Sequence, residues 1–145
     1  MSIGLIMPSA LHELGIKMGA DFRQSNKFHV STNYKSAKSM ITHMDRPRQV
    51  ITMLPTKALD AEDVLESIIE YMGPLDVVLD CVIDTPDRIH SRAELCFKNS
   101  TQYMAINITK DCVYAMGTHM AYLENKNLLR KINKNIKYIG RIDEV

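Results

Sequence analysis

The stretch MSIGLIMPSALHELGIKMG, Met1 to Gly19, decides how the rest of the chain is read. Its short apolar run, Ile3 to Met7, breaks at Pro8-Ser9, and Leu11, Leu14 and Met18 then recur at the spacing of one helical face. Strand, tight turn and helix in this order open a dinucleotide-binding domain. The glycines that such a turn uses are missing.

Outward from that stretch the chain alternates. Lys27 to Thr32 reads as a short strand, followed by a turn at Asn33-Tyr34-Lys35 and a short helix over Ser36–Met44 that ends at Asp45-Arg46-Pro47. Gln49 to Leu54 has β-branched character and stops at Pro55. Asp60-Ala-Glu-Asp63 is an acidic helix start, with Val64, Leu65, Ile68, Ile69 and Met72 as its buried stripe and Gly73-Pro74 as its stop. Asp76 to Asp80 is nearly all apolar between its ends, as a parallel strand covered on both faces should be. Thr85-Pro86 supplies an N-cap and a first-turn proline for a helix to about Phe97. Gln102–Ile108 and Val113–Leu123 are further strand candidates. Asn125 is placed as the cap of a last helix carrying Leu128, Leu129, Ile132 and Ile136, and Lys137–Ile142 as a terminal strand. Repeated β-α-β units predict a single α/β domain over residues 1–145 with a mainly parallel, doubly wound sheet. Ile3–Met7, Phe28–Val30, Val50–Leu54 and Val77–Asp80 are its expected adjacent central strands, with helices on both faces.

Composition narrows the function classes. The 145 residues are 46% hydrophobic and 24% charged, with a net charge of +1. That is the profile of a globular domain with no general attraction to nucleic acid or anionic membrane. No run of about 18 apolar residues is present, and the N-terminus lacks the basic flank and long apolar core of a signal peptide. Cys81, Cys96 and Cys112 are odd in number and too dispersed for a Cys-x-x-Cys site. The expectation is three reduced thiols in an intracellular, cytoplasmic protein.

At this point the order of elements resembles a known family. Met1-Ser-Ile-Gly-Leu-Ile6 is similar to the opening strand of the N-terminal, NADP-binding domain of 6-phosphogluconate dehydrogenase and the related hydroxyacid dehydrogenases. Pro47-Arg-Gln-Val-Ile-Thr-Met-Leu-Pro55 resembles that family's strand and turn ending in Met-Val-Pro. Gly73-Pro-Leu-Asp-Val-Val-Leu-Asp80 resembles its strand ending in Asp, and Val113–Met120 the segment after its Ser-Gly-Gly motif. The resemblance runs from Met1 to about Ile136 and implies a Rossmann-like fold.

The departures from the family fall on its functional turns. Met7, Ser9 and His12 stand where its Gly-x-Gly-x-x-Gly would be. Glycine serves there because backbone must turn sharply and approach pyrophosphate closely. Met7 and His12 are expected to fill the vacated space. The family's Asp-Gly-Gly-Asn is here Asp80-Cys81-Val82-Ile83, and its Ser-Gly-Gly substrate turn is Thr109-Lys110-Asp111. Its Asn-Arg-Thr turn, whose arginine meets the NADP 2′-phosphate, is Asn33-Tyr34-Lys35. Lys35 offers a point charge in place of a bidentate fork. The family's helical domain, with its catalytic lysine and glutamate, has no counterpart within the 145 residues. The degenerate cofactor site is therefore Met7, Ser9, His12, Asn33, Lys35, Met53 and Pro55, with no cofactor and no catalytic residue expected.

Other motifs add little chemistry. His12-Glu13 lacks the second histidine of a metalloprotease helix, and His29, His43, His90 and His119 show no metal-ligand spacing. No Gly-x-Ser-x-Gly occurs. Thr85, Asp87, Arg88, His90 and Arg92 read as a solvated helix start. The stretch from Lys126 to Arg141 holds six basic residues (Lys126, Arg130, Lys131, Lys134, Lys137 and Arg141) and no acidic one. A solvated face is the plain reading of that run, and a site for an acidic protein or a nucleic-acid backbone the sharper one.

These readings converge on a non-catalytic relative of the dehydrogenase cofactor domain. Its role is structural or partner-binding, through a protein partner or self-association. The alternative is a residual NADP- or nucleotide-binding domain acting as a sensor or as half of a split oxidoreductase. Nucleic-acid binding through the basic segment ranks third, because the rest of the chain is nearly neutral, and no membrane partner is expected.

Overall fold

The computed structural model describes residues 2–6, 28–31, 34–53, 58–81 and 86–142. Seven strands form one sheet: β1 (Ser2–Ile6), β2 (Phe28–Ser31), β3 (Arg48–Thr52), β4 (Val77–Cys81), β5 (Gln102–Ile108), β6 (Val113–Met116) and β7 (Ile136–Gly140). Their spatial order is β2-β1-β3-β4-β5-β6-β7. β2, β1, β3, β4 and β5 run parallel, β6 is antiparallel to β5, and β7 is parallel to β6. The mainly parallel α/β architecture expected from the sequence is thus present. β2 is adjacent to β1 as expected but lies at the sheet edge, not in its centre.

The described helices are α1 (Tyr34–His43), α2 (Ala58–Ile69), α3 (Pro86–Lys98) and α4 (His119–Ile132). Side chains alternate across each strand, so the central strands β1, β3, β4 and β5 feed two cores. On one face Ile6, Val50, Val78, Tyr103 and Ala105 pack against Ala37 and Ile41 of α1, Leu65 and Ile68 of α2, and Ala93 and Cys96 of α3. On the other face Leu5, Ile51, Leu79, Met104 and Ala115 pack against Ala121, Leu128 and Leu129 of α4. Each fully buried Leu or Ile contributes about 1.5–3 kcal/mol. α1 comes so close to β1 that a Cβ on Gly4 would lie 2.9 Å from Met40 Cε and 2.9 Å from Met44 Sδ. Both atoms are the flexible ends of methionine side chains, so a larger residue at Gly4 would have to push them aside.

Three expectations change in the C-terminal third: Ile136, placed on the last helix, instead opens β7 after α4 ends at Ile132. The candidate strand Val113–Leu123 is cut at Met116, and α4 begins at His119. Its N-cap is Thr118, whose Oγ1 accepts from Ala121 N at 3.1 Å. Asn125 is therefore not a cap but a buried residue inside the helix. Its Nδ2 donates to Ala121 O at 2.8 Å, and its Oδ1 accepts from Gln49 Nε2 of β3 at 2.7 Å. A buried amide at mid-helix is tolerated because both of its ends are paired. Likewise Tyr34 and Lys35, read as a turn, have helical backbone at the start of α1.

Candidate functional site

In an open parallel sheet, ligands bind beyond the strand C-termini where successive connections leave in opposite directions. Here that point lies between β1 and β3, since β2 sits on one side of β1 and β3 on the other. Ile6 and Thr52 end the two strands that bound it, with Met53 following β3 and Asp80 and Cys81 ending the neighbouring β4. Met53 N donates to Ile6 O at 2.8 Å, continuing the β1–β3 ladder past the last paired residues.

Of the expected cofactor-site residues, Met53 is placed in full: it is buried and belongs to the second core. Met7, Ser9, His12, Asn33 and Pro55 lie outside the described residues, as does the side chain of Lys35. Cys81, at a glycine position of the resembled motif, is half-buried and packs against the second core. Burial, and then the neighbouring Asp80 carboxylate, push its thiol well above the usual range. All three cysteines are free thiols.

Beneath the strand ends lies a constellation that sequence reasoning missed. Asp80 is fully buried and accepts three side-chain hydrogen bonds. Thr52 Oγ1 donates to Oδ1 at 2.9 Å, while Tyr103 Oη and Arg92 Nη1 donate to Oδ2 at 2.8 and 3.2 Å. Thr52 and Asp80 are register partners on neighbouring strands, and Arg92 reaches them from α3. Arg92 was expected on a solvated face but is buried at 3% exposure, because its charge is matched inside the core. Desolvation pushes the Asp80 carboxyl up, with Arg92 and the two hydroxyls pulling the other way. Tyr103 is raised well above the usual phenol range by burial and by the Asp80 charge, and Cys96 to about 12 for the same two reasons.

The turn between β5 and β6 corresponds to the substrate turn of the resembled family. Here it is closed on itself. Thr109 N donates to Cys112 O at 2.9 Å, and Cys112 N donates to Thr109 Oγ1 at 3.1 Å. Asn133 Nδ2 and Asn135 Nδ2 donate to Lys110 O and Asp111 O at 3.4 and 3.2 Å. The two asparagines follow α4, so the turn is clamped to the α4–β7 connection.

The six basic residues of the C-terminal stretch do not form one patch. Lys126 and Arg130 share a flank of α4 beside β7, whereas Lys131 projects from its other side. Lys137 lies on the opposite face of β7, and Lys134 and Arg141 lie beyond the two ends of that strand.

Strand order, parallel register and the switch point between β1 and β3 together decide the fold. It is Rossmann-like. Solved structures of similar shape agree with this. Mycobacterium tuberculosis 3-hydroxyisobutyrate dehydrogenase superposes with a TM-score of 0.79 at 13% identity, over 97% of this chain and 55% of that one. An imine reductase from Myxococcus stipitatus in complex with NADP+ gives 0.76 at 9% identity, over 98% and 56%. Plasmodium falciparum 6-phosphogluconate dehydrogenase gives 0.75 at 17% identity, over 97% and 37%. This Rossmann-like chain spans about half the length of the reductases it matches, and at these identities the likeness is one of fold. Neither protein-family models nor curated protein sequences give a match. The dehydrogenase resemblance read from the sequence thus holds at the level of fold. Among the described residues no helix is long and apolar enough to cross a membrane.

Proposed function

We propose that this chain is a non-catalytic relative of the 6-phosphogluconate dehydrogenase cofactor-binding domain, serving as a structural or partner-binding domain. The β5–β6 turn carries the reading. Its glycines are replaced by Thr109-Lys110-Asp111, and its carbonyls are taken up by Asn133 and Asn135. Carbonyls already bonded within the protein are poor at exchanging those bonds for a substrate's. The described crevice rim agrees: Met53 and Cys81 pack inward, and the Asp80 carboxylate points into the core toward Arg92. These residues do not by themselves hold a dinucleotide. In the test, the purified chain is offered NADP with 6-phosphogluconate, and no reduction of NADP is expected.

A second reading keeps nucleotide binding, as a sensor or as part of a split oxidoreductase. The switch point between β1 and β3 favours it, as does a neighbour of the same fold solved in complex with NADP+. Calorimetry separates the two. The first reading expects no submicromolar binding of NADP, NADH or ATP, and a clear one-site NADP isotherm would establish the second.

A further inference from the structure

The net charge of +1 hides a separation. α2 carries Glu62, Asp63 and Glu66, with Glu70 just beyond it, on one side of the sheet. The Lys126–Arg141 stretch, on α4 and β7, has no acidic residue. Lys126, Arg130, Lys131, Lys134 and Lys137 form no ion pair with any described carboxylate. All but the half-buried Lys126 are exposed. A near-neutral total therefore does not argue against a polyanionic partner.

Aromatic rings are interleaved with these cations. His119, Tyr122, Lys126 and Arg130 follow one another at three- and four-residue steps, so they line one flank of α4. Tyr122 stacks on Tyr138 of β7 with ring centres 4.7 Å apart and planes at 20°. The exposed His119 ring lies 5.7 Å from Tyr138, and Lys126 Nζ lies 5.7 Å from the Tyr122 ring centre. Tyr138 Oη donates to Gly117 O at 2.7 Å, which fixes the stack. Across the strand, Lys137 Nζ lies 5.8 Å from the Tyr114 ring centre. The edge strand β7 is bracketed on both faces by a cation beside a ring.

We propose that the α4–β7 edge binds single-stranded nucleic acid. Phosphates would track Lys126, Arg130 and Lys134 along the α4 flank, and a base would stack on His119 beside the Tyr122–Tyr138 pair. Single-strand binders combine a cationic track with rings that accept any base, because every base has a π face. An acidic protein segment would use the cations but not the rings, and a duplex keeps its base faces covered. The helix dipole accounts for Arg130 and Lys131 in the last turn of α4, but its effect does not extend to Lys134 or Lys137. The inference rests on the partner-binding part of the proposed function and names that partner's chemistry.

The test is fluorescence anisotropy of the full chain with labelled 20-nucleotide oligo(U) and oligo(dT), at salt from 50 to 200 mM. We expect micromolar binding at the lowest salt, and a slope of log affinity on log salt of roughly −2, as about three phosphate contacts require. Lys126→Glu with Arg130→Glu and Lys134→Glu should weaken binding at least tenfold. Glu66→Lys with Glu70→Lys on α2 should not weaken it. His119→Ala should weaken the single strand and leave a duplex of the same length unchanged. Circular dichroism checks that each variant is folded, and glutamine replaces glutamate at the three basic positions if the reversal is not. No binding at 50 mM salt, binding undiminished in a folded triple variant, or polyglutamate bound as tightly as oligo(U) would each overturn the proposal. If oligonucleotides fail and NADP also fails to bind, the partner-binding reading survives with another partner. A one-site NADP isotherm removes that reading whatever the oligonucleotides do.

Discussion

Two buried arginine–aspartate pairs brace the same face of the sheet from opposite ends, and they are built differently. Between them lies the apolar rung Val50–Val78. At the strand N-termini, Asp76 accepts mainly from backbone: Arg48 N at 2.7 Å and Gly73 N at 2.9 Å, besides Arg48 Nη1 at 3.3 Å. Arg48 in turn donates to Tyr71 O and Met44 O. This pair ties three chain segments together, including the turn that holds Leu75 at φ 73 and 73% exposed. A leucine in that left-handed region costs of order 1–3 kcal/mol, which the Asp76 anchor must offset. At the strand C-termini, Asp80 accepts, among the described residues, only from the side chains of Thr52, Tyr103 and Arg92. The first pair is a backbone staple. The second is a side-chain network beneath the ligand crevice of the fold, and side chains can be exchanged.

The largest expected effect separates the two aspartates. Removing one partner of a buried ion pair costs about 3–5 kcal/mol. Asp76→Ala should lie at the top of that range, since backbone N–H groups cannot turn away from a lost acceptor. Asp80→Ala should lie at the bottom, since hydroxyls can rotate. Urea unfolding measures both, and equal losses would break the comparison.

Apolar replacement sharpens the contrast. Asp80→Leu, Arg92→Met, Tyr103→Phe and Thr52→Val made together should come within about 2 kcal/mol of the parent, because an entire side-chain network can be exchanged for apolar groups of similar shape. Arg48→Met with Asp76→Leu should stay destabilised by about 3 kcal/mol, because Gly73 N and Arg48 N keep needing an acceptor. Thermal and urea unfolding of the two variants give the answer. Full recovery of the Arg48/Asp76 pair would show that the staple is not a backbone device.

The smallest expected effect concerns pH. Tyr103→Phe should cost about 1–2 kcal/mol at neutral pH by removing one donor from Asp80. The folded phenol titrates above its unfolded value of about 10, so its contribution is complete below that pH and is lost as pH rises toward the folded value. The parent should therefore lose stability above about pH 10 more steeply than Tyr103→Phe. Parallel alkaline curves would mean that Tyr103 ionises freely.

Much of the fold was legible because apolar runs and breakers are local signals. The run from Val77 to Leu79 gave β4, Pro86 gave the start of α3, and Pro55 marked the end of β3's segment. The error at α4 was also local in origin. His119–Leu123 carries no strong helical stripe by itself, and the cap at Thr118 was passed over for an asparagine that proved to be buried. The crevice-side network was not legible. Thr52, Asp80, Arg92 and Tyr103 are spread over fifty residues, and each alone looks ordinary.

By itself the sequence determined the alternation of strands and helices, the mainly parallel sheet and the loss of glycines from the three glycine-bearing turns of the resembled family. These follow from side-chain periodicity and backbone freedom, which neighbouring residues set. Only the tertiary structure decided where the charges went. It put Thr52 beside Asp80 through the register of β3 on β4 and turned Arg92 inward to meet them. It also set the acidic helix α2 and the basic α4–β7 edge on different parts of the surface. Such pairings depend on strand neighbours and on the side of the sheet each helix covers, and a long-range contact leaves no periodicity in the chain.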